Sequence, residues 1–106
     1  MPQKILSIEE AQAKIPQPWI HTVLGQVDEY CAYLCRFQGT YRFHQHSKDE
    51  MYFVLEGEAF VEFQDAETQA LKKGDTLVVK AGEVHRSGAQ EEALVLMFKA
   101  RDLFAE

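Results

Sequence analysis

The chain has 106 residues and a formal net charge of −6, and hydrophobic residues make up 46% of it. We expect one compact domain over residues 1–106, because the length leaves no room for a second core and the composition argues against disorder. The acidic balance and the absence of any Lys or Arg cluster argue against a nucleic-acid or anionic-membrane surface, and no apolar run is long enough to cross a bilayer.

A short helix is predicted near the start of the chain. Ser7-Ile8-Glu9-Glu10 has the pattern of a capping box, in which Ser7 is the N-cap and Glu10 reaches back to it. Pro16 and Pro18 must end this helix, since proline cannot donate the helical hydrogen bond.

From residue 19 onward the sequence predicts strands. Short segments rich in β-branched and aromatic residues are separated by turn signals, most of them glycines. The predicted strands are 19–24, 28–37, 51–56, 58–63, 68–71, 75–79 and 93–99. No helical period of useful length follows residue 15, so the pattern indicates an all-β, antiparallel sandwich or barrel. Residues 100–106 are either a closing turn or a tail.

Cys31 and Cys35 lie four residues apart in one predicted strand. Their Cα atoms would be about 13 Å apart, too far for a disulfide. We expect two reduced thiols on one strand face; the alternative, a metal-binding pair, lacks further ligands to complete a site. Reduced thiols, together with residues 1–15 that do not resemble a secretory signal, predict a cytoplasmic protein.

Three histidines and a glutamate form the strongest chemical pattern in the chain. His44 and His46 are two residues apart, so within a strand they would share one face. A turn at residues 47–49 would bring Glu50 alongside them, and His85 follows a later turn at Gly82. Imidazoles and a carboxylate converging from one side suit a borderline divalent metal ion.

These two segments resemble the paired signatures of the cupin superfamily. The resemblance covers residues 39–89, and the matching positions are Gly39, His44, His46, Glu50 and Gly57 in the first signature and Gly74, Gly82 and His85 in the second. The chain departs from the common pattern in three places. The spacing from Gly39 to His44 is one residue short, and Lys80 and Ala89 replace the usual proline and asparagine.

The cupin resemblance implies a jelly-roll barrel, also described as a double-stranded β-helix. It implies that His44, His46, Glu50 and His85 hold one divalent metal ion inside the barrel, reached through one open end. Metals found across the superfamily are iron, manganese, nickel, zinc and copper. Small single-domain members are commonly homodimers, so a homodimer is expected here.

Arg42, Tyr52 and Ser87 are the candidate residues of a substrate pocket. Arg42 either shares the inward face of His44, where it would hold a carboxylate or enolate, or precedes the regular strand and points to solvent. Tyr52 is either a pocket wall with a useful hydroxyl or ordinary core, and Ser87 follows His85 inward.

Two aromatic residues outside the signatures also have expected positions. His21 is expected to be an ordinary satisfied or exposed histidine, and the less favoured alternative is an extra pocket residue. Trp19 is expected to anchor the N-terminal segment, either across the barrel or on a partner subunit.

Three functions are compatible with this site. The first is a metal-dependent enzyme of the dioxygenase or isomerase class that acts on a small oxygenated metabolite. The second is a non-catalytic protein that binds or senses a small molecule through the metal, and the third is an interaction module with a structural metal. The sequence shows neither a nucleophile–base pair nor a phosphate-binding glycine loop, so no catalytic residue is predicted.

Overall fold

The computed structural model of the protein describes residues 2–103, which contain one α-helix, seven β-strands and a final 3-10 turn. The elements are α1 (Ile8–Ala13), β1 (Thr22–Val27), β2 (Tyr30–Thr40), β3 (Glu50–Glu56), β4 (Ala59–Phe63), β5 (Gln69–Leu71), β6 (Thr76–Val79), β7 (His85–Ala100) and the turn Arg101–Leu103. Within residues 2–103, no helix has the length and apolar character needed to span a bilayer. Phe104, Ala105 and Glu106, part of the predicted closing turn or tail, lie outside the described residues.

The predicted N-cap at Ser7 is present. Ser7 has extended backbone angles (φ −82°, ψ 145°), and its side-chain oxygen accepts a hydrogen bond of 2.9 Å from the backbone N–H of Glu10. Helix α1 then buries Ala11 completely against Leu34 of β2 and Leu94 of β7. This small apolar cluster fixes the helix on the outside of the sheet.

Strand β7 connects the parts of the barrel. All strand pairs are antiparallel, in the order β1-β2-β7-β3-β6, and β4 pairs with both β5 and β7. Strand β7 is sixteen residues long; it pairs with β4 through its first residues and with β3 through its second half. One long strand is thus shared by both parts of the β structure, and the all-β jelly-roll prediction is confirmed.

Four of the predicted strands, β3 to β6, have boundaries within one residue of the prediction. Strand β7 begins eight residues earlier than predicted, because residues 85–92 are mostly polar or small and extend only through their pairing with β2 and β4. Strand β1 begins at Thr22 rather than at residue 19, where Trp19 has a φ of 72° that no strand accommodates.

The barrel core contains an inward-facing row of residues across β3 and β7. Val54 lies opposite Val95, and Tyr52 lies opposite Met97, with all four side chains buried. The next pair in the same row is Glu50 and Lys99. The apolar row therefore ends in two buried charged residues at one end of the barrel.

The two cysteines are part of the same core. Cys31 and Cys35 are both buried on β2 and both carry free thiols, as predicted. Burial raises the pKa of Cys35 to about 12, so this thiol stays protonated and unreactive at neutral pH.

Candidate metal centre

His44 and His46 lie in an extended loop between β2 and β3. Residues 41–49 form only one isolated bridge, in which His44 and His85 each donate a backbone N–H to the other's carbonyl at 2.9 Å. The two histidines are therefore not in a regular strand, which was the condition for the shared face expected from their spacing. The bridge to the first residue of β7 nevertheless brings the His44 and His85 rings together, with 4.4 Å between their centroids.

The loop is fastened to the turn that precedes His85. Asp49 accepts hydrogen bonds of 2.8 Å from the backbone N–H of Ala81 and from Lys80 Nζ. The N–H of Gly82 donates to the His46 carbonyl at 3.0 Å, and its φ of 84° is a conformation that glycine adopts without strain. The bend at residues 47–48 then delivers Glu50 to the first position of β3, as predicted.

The four predicted ligands come together. The ligating atoms of His44, His46, Glu50 and His85 all lie within 4.8 Å of one another. Glu50 Oε1 is 3.4 Å from His46 Nε2 and 3.3 Å from His85 Nε2. Glu50 and His85 are fully buried, whereas His44 is half-buried at the cavity.

Backbone carbonyls orient two of the imidazoles. His44 Nδ1 is 2.9 Å from the Arg42 carbonyl, and His85 Nδ1 is 2.8 Å from the Glu83 carbonyl. A carbonyl only accepts, so each Nδ1 carries a proton, and in the neutral imidazole each Nε2 presents a lone pair to the cluster. This is the arrangement in which histidine binds metal ions through Nε2.

The cluster favours an ionised carboxylate. Burial alone would raise the pKa of Glu50, but hydrogen bonds from His46, His85 and Tyr52 outweigh it and hold this pKa well below its usual range. Burial lowers the pKa of His44. At His85, burial acts in the same direction, but the hydrogen bonds to Glu50 and to the Glu83 carbonyl raise its pKa overall. A bound cation would therefore compete with a proton shared by Glu50 and His85.

The residues fit a divalent metal ion. Glu50 Oε2 is buried and receives no hydrogen bond within residues 2–103; the Lys99 ammonium is 3.9 Å away, beyond hydrogen-bond distance, so this oxygen has a lone pair to offer to a metal ion. A set of three imidazole nitrogens and one carboxylate suits iron, manganese, nickel, zinc or copper rather than magnesium or calcium.

A cavity opens beside the cluster, and two of the predicted pocket residues line it. Its volume is about 480 Å³, part of it open to solvent. The Tyr52 hydroxyl donates to Glu50 Oε1 at 2.7 Å and accepts from Ser87 Oγ at 3.1 Å. Tyr52 is thus a buried core residue that also lines the cavity and whose hydroxyl makes hydrogen bonds, and Ser87 points inward as predicted.

Arg42 does not line the cavity. Its side chain is exposed, and its guanidinium donates to the Tyr41 hydroxyl at 2.6 Å. The second alternative from the sequence, an Arg42 that points to solvent, is the one the structure has. The strand alternation that would have turned it inward is absent, because residues 41–43 are not in a strand.

Lys99 and His21 also line the cavity; Lys99 was not predicted to do so, and for His21 this was the less favoured alternative. Lys99 is 3% exposed, and its Nζ lies 3.9 Å from Glu50 Oε2. Residues 93–98, which precede Lys99, are all apolar and show no alternation of polar and apolar side chains. The sequence therefore does not indicate that the Lys99 side chain faces the inside of the barrel. The His21 ring lies 5.5 Å from that of Tyr33, and burial, with a smaller effect of the Lys99 charge, lowers the His21 pKa to about 4.

Trp19 anchors the N-terminal segment on β2. Its backbone N–H donates to the Arg36 carbonyl at 3.0 Å, its Nε1 donates to the Gln38 carbonyl at 3.2 Å, and its ring stacks on Phe37 at 4.7 Å. Of the two alternatives, anchoring across the barrel is therefore present in this chain. The same ring forms part of the cavity wall, which the sequence had not indicated.

The fold and the site together define a jelly-roll barrel with a metal-binding type of His/Glu cluster at one end. A family model described as "Cupin domain" matches residues 35–99, more than half of the chain, and the protein belongs to this family. The match includes all four residues of the cluster.

Three known proteins are similar to this chain. The uncharacterized protein YdbB of Bacillus subtilis (strain 168) is 42% identical over 65 residues, which are 60% of this chain and 58% of that protein. A cupin-2 domain containing protein from Shewanella frigidimarina has a similar structure, with a TM-score of 0.86, 24% identity and coverage of 92% and 95% of the two chains. The hydroquinone 1,2-dioxygenase PnpCD, in complex with Cd²⁺ and 4-hydroxybenzonitrile, has a TM-score of 0.75 at 22% identity, with coverage of 85% and 69%.

Proposed function

We propose that this cupin is a metal-dependent enzyme of the dioxygenase or isomerase class that acts on a small oxygenated molecule. The observation that carries the proposal is the convergence of His44, His46, Glu50 and His85 in one cluster, of which His44 and His46 line a cavity that is partly open to solvent. When bound, a divalent ion supplies Lewis acidity and, for a redox-active metal, the electrons for O₂ chemistry.

The protein's own residues hold and shield this centre. Tyr52 and Ser87 form a hydrogen-bonded chain to Glu50 and fix the carboxylate in one orientation. Trp19, Phe37 and Met97 give the cavity an apolar wall, which keeps bulk water away from a bound substrate.

The other two functions make different predictions. A binding or sensing protein would take up a small ligand at the same centre without turnover. A structural metal would need a filled coordination sphere, whereas this cluster has open space beside it. A dioxygenase among the similar folds supports the enzyme class, although the likeness itself extends only to the fold.

The metal assignment is tested by elemental analysis of protein purified without a chelator or a histidine tag. His44→Ala and His46→Ala are expected to lose most of the bound metal, and His21→Ala, which alters the same cavity, is the matched control that keeps it. Equal retention in all three variants would refute the ligand assignment. Occupancy is also expected to fall as the pH drops below about 6, because the imidazoles must be neutral to bind.

The enzyme class is tested by O₂ uptake with small diketones and phenolic acids. Stoichiometric iron, manganese or nickel with substrate-dependent O₂ loss supports a dioxygenase. Zinc without O₂ uptake would refute the dioxygenase class and favour an isomerase, which product analysis by NMR would detect. Tight ligand binding without any product would favour the binding protein.

We further propose that the protein is a homodimer. The outer face of the sheet has a row of apolar side chains in which Met51 lies opposite Val78 on one side and Phe98 on the other, and Met51, Val78 and Phe53 are each more than a third exposed. An exposed apolar face of this kind is typical of a subunit interface. Phe53→Asp is expected to convert a dimer to a monomer in sedimentation analysis, and a monomeric wild-type protein would refute the proposal.

Location in the cytoplasm stays a prediction from the sequence.

A further inference from the structure

The cavity beside the metal cluster contains a buried ammonium group. Lys99 lies directly opposite Glu50 in the β3–β7 ladder, and its side chain is 3% exposed. Its Nζ is 3.9 Å from Glu50 Oε2 and 5.5 Å from the centre of the Tyr33 ring. Burying an ammonium is costly, and the preceding inward residues of the same strand, Val95 and Met97, are apolar. Core packing alone therefore does not account for a lysine at this position.

The charges of the loaded site would leave it strongly positive. A divalent ion contributes two positive charges, Lys99 contributes one, and Glu50 removes one, while the metal-binding imidazoles are neutral. The ten described residues that line the cavity include no aspartate or glutamate. A neutral ligand would leave this excess uncompensated in a poorly solvated space, whereas an anionic ligand would reduce it.

The walls of the cavity favour a flat apolar ligand body. Trp19 stacks on Phe37 with 4.7 Å between ring centroids, and it contacts Tyr41 in a tilted geometry at 5.0 Å. Met97 completes the apolar side. The cavity is partly open to solvent, so a ligand can enter it from one side.

We propose that Lys99 binds the carboxylate of a small aromatic acid and thereby selects anionic over neutral substrates. The ring lies against the aromatic wall, and an oxygen substituent next to the carboxylate reaches the metal cluster. This inference rests on the proposed metal function and names its substrate class. Lys99 acts here as a specificity-determining residue, because an ammonium forms a charge-assisted hydrogen bond with a carboxylate and a weaker one with an amide.

The test compares 2-hydroxybenzoate with 2-hydroxybenzamide, which has nearly the same shape and no charge at pH 7. Both are titrated calorimetrically into the metal-loaded, full-length protein. The wild type is expected to prefer the carboxylate at least tenfold. Lys99→Met is expected to reduce that preference to less than threefold while keeping its metal. Lys73→Met removes an exposed lysine paired with Glu56, away from the cavity lining, and should behave as the wild type.

The metal content of every sample is measured first, so the two proposals fail in different ways. A wild-type protein that takes up no metal refutes the metal function and this inference with it. A metal-loaded wild type that binds both compounds equally refutes only the role of Lys99. A tenfold preference that survives in metal-loaded Lys99→Met also refutes it, since the metal alone would then select the anion. If Lys99→Met does not fold, the wild-type titrations still test the proposal, because equal binding of the two compounds by the metal-loaded wild type refutes it.

Discussion

Removing a single oxygen atom from Tyr52 tests how the barrel core supports the metal cluster. The Tyr52 side chain is fully buried, and its hydroxyl is a donor to Glu50 and an acceptor from Ser87. The Tyr52→Phe substitution keeps the ring and its edge-on contact with Phe37, with 5.9 Å between centroids. The change therefore isolates the hydrogen bonds from the packing.

The expected cost follows from those two bonds. A hydrogen bond to an ionised group contributes about 1.5–3 kcal/mol, and a neutral one contributes about 1 kcal/mol. Ser87 can rotate its hydroxyl toward another acceptor, so we expect the free energy of unfolding of the metal-free protein to fall by about 2–3 kcal/mol. Glu50 also loses a group that orients it, and metal affinity should fall by about 10–100-fold. At about 1.4 kcal/mol for each factor of ten, this loss has the same size as the lost charged hydrogen bond.

Two measurements separate these effects. Urea unfolding with a chelator present gives the change in stability, and competition with a chelator of known affinity gives the change in metal binding. Tyr30→Phe is the matched control, because Tyr30 is 47% exposed and stacks on Phe98 outside the core. A Tyr52→Phe protein with reduced stability and a metal affinity within threefold of the wild type would refute the orienting role of the hydroxyl.

Three further predictions concern stability. Burial lowers the pKa of His21 from 6.5 to about 4, so between these pH values the unfolded chain binds a proton that the folded chain does not, and the free energy of unfolding falls as the pH is lowered. In urea unfolding, His21→Gln should lose less stability than the wild type between pH 7 and pH 4, and an equal loss would contradict this. Leu34 is fully buried under the helix, and Leu34→Ala should lower the free energy of unfolding by about 2–5 kcal/mol, with a loss below about 1 kcal/mol refuting its place in the core. Gly57 and Gly74 both have positive φ, but a Cβ at Gly57 would overlap the backbone of β7 and one at Gly74 would meet open space. Gly74→Ala should therefore cost about 1 kcal/mol and Gly57→Ala clearly more, and equal thermal shifts would contradict the steric argument.

The sequence predicted most of the fold because the relevant signals are local. The Ser7 cap, the glycine turns and the β-branched segments depend on residues close together in the chain, and the observed helix and strands β3 to β6 match them. The metal cluster was also predictable, since His44, His46 and Glu50 are neighbours and His85 follows a glycine turn. Spacing alone does not show that His85 lies beside the other three residues; the resemblance to the cupin signatures supplied that expectation.

Other features depend on contacts between distant segments. The early start of β7 arises from pairing with β2 and β4, and the loop conformation of His44 and His46 arises from one bridge to β7 and from the turn at Gly82. Arg42 points outward for the same reason, because strand alternation does not apply to an irregular segment. No local pattern in residues 41–49 distinguishes this loop from a strand.

The character of the cavity was decided by the tertiary structure alone. Lys99 is 49 positions after Glu50 and meets it only through the register of β3 and β7, and the apolar run before it hides which way it faces. Trp19 and His21 enter the wall because the N-terminal segment packs on β2. Sequence spacing specifies which residues can bind a metal ion, but the surroundings of that ion are set by strand register and packing, which join residues with no fixed separation in the chain.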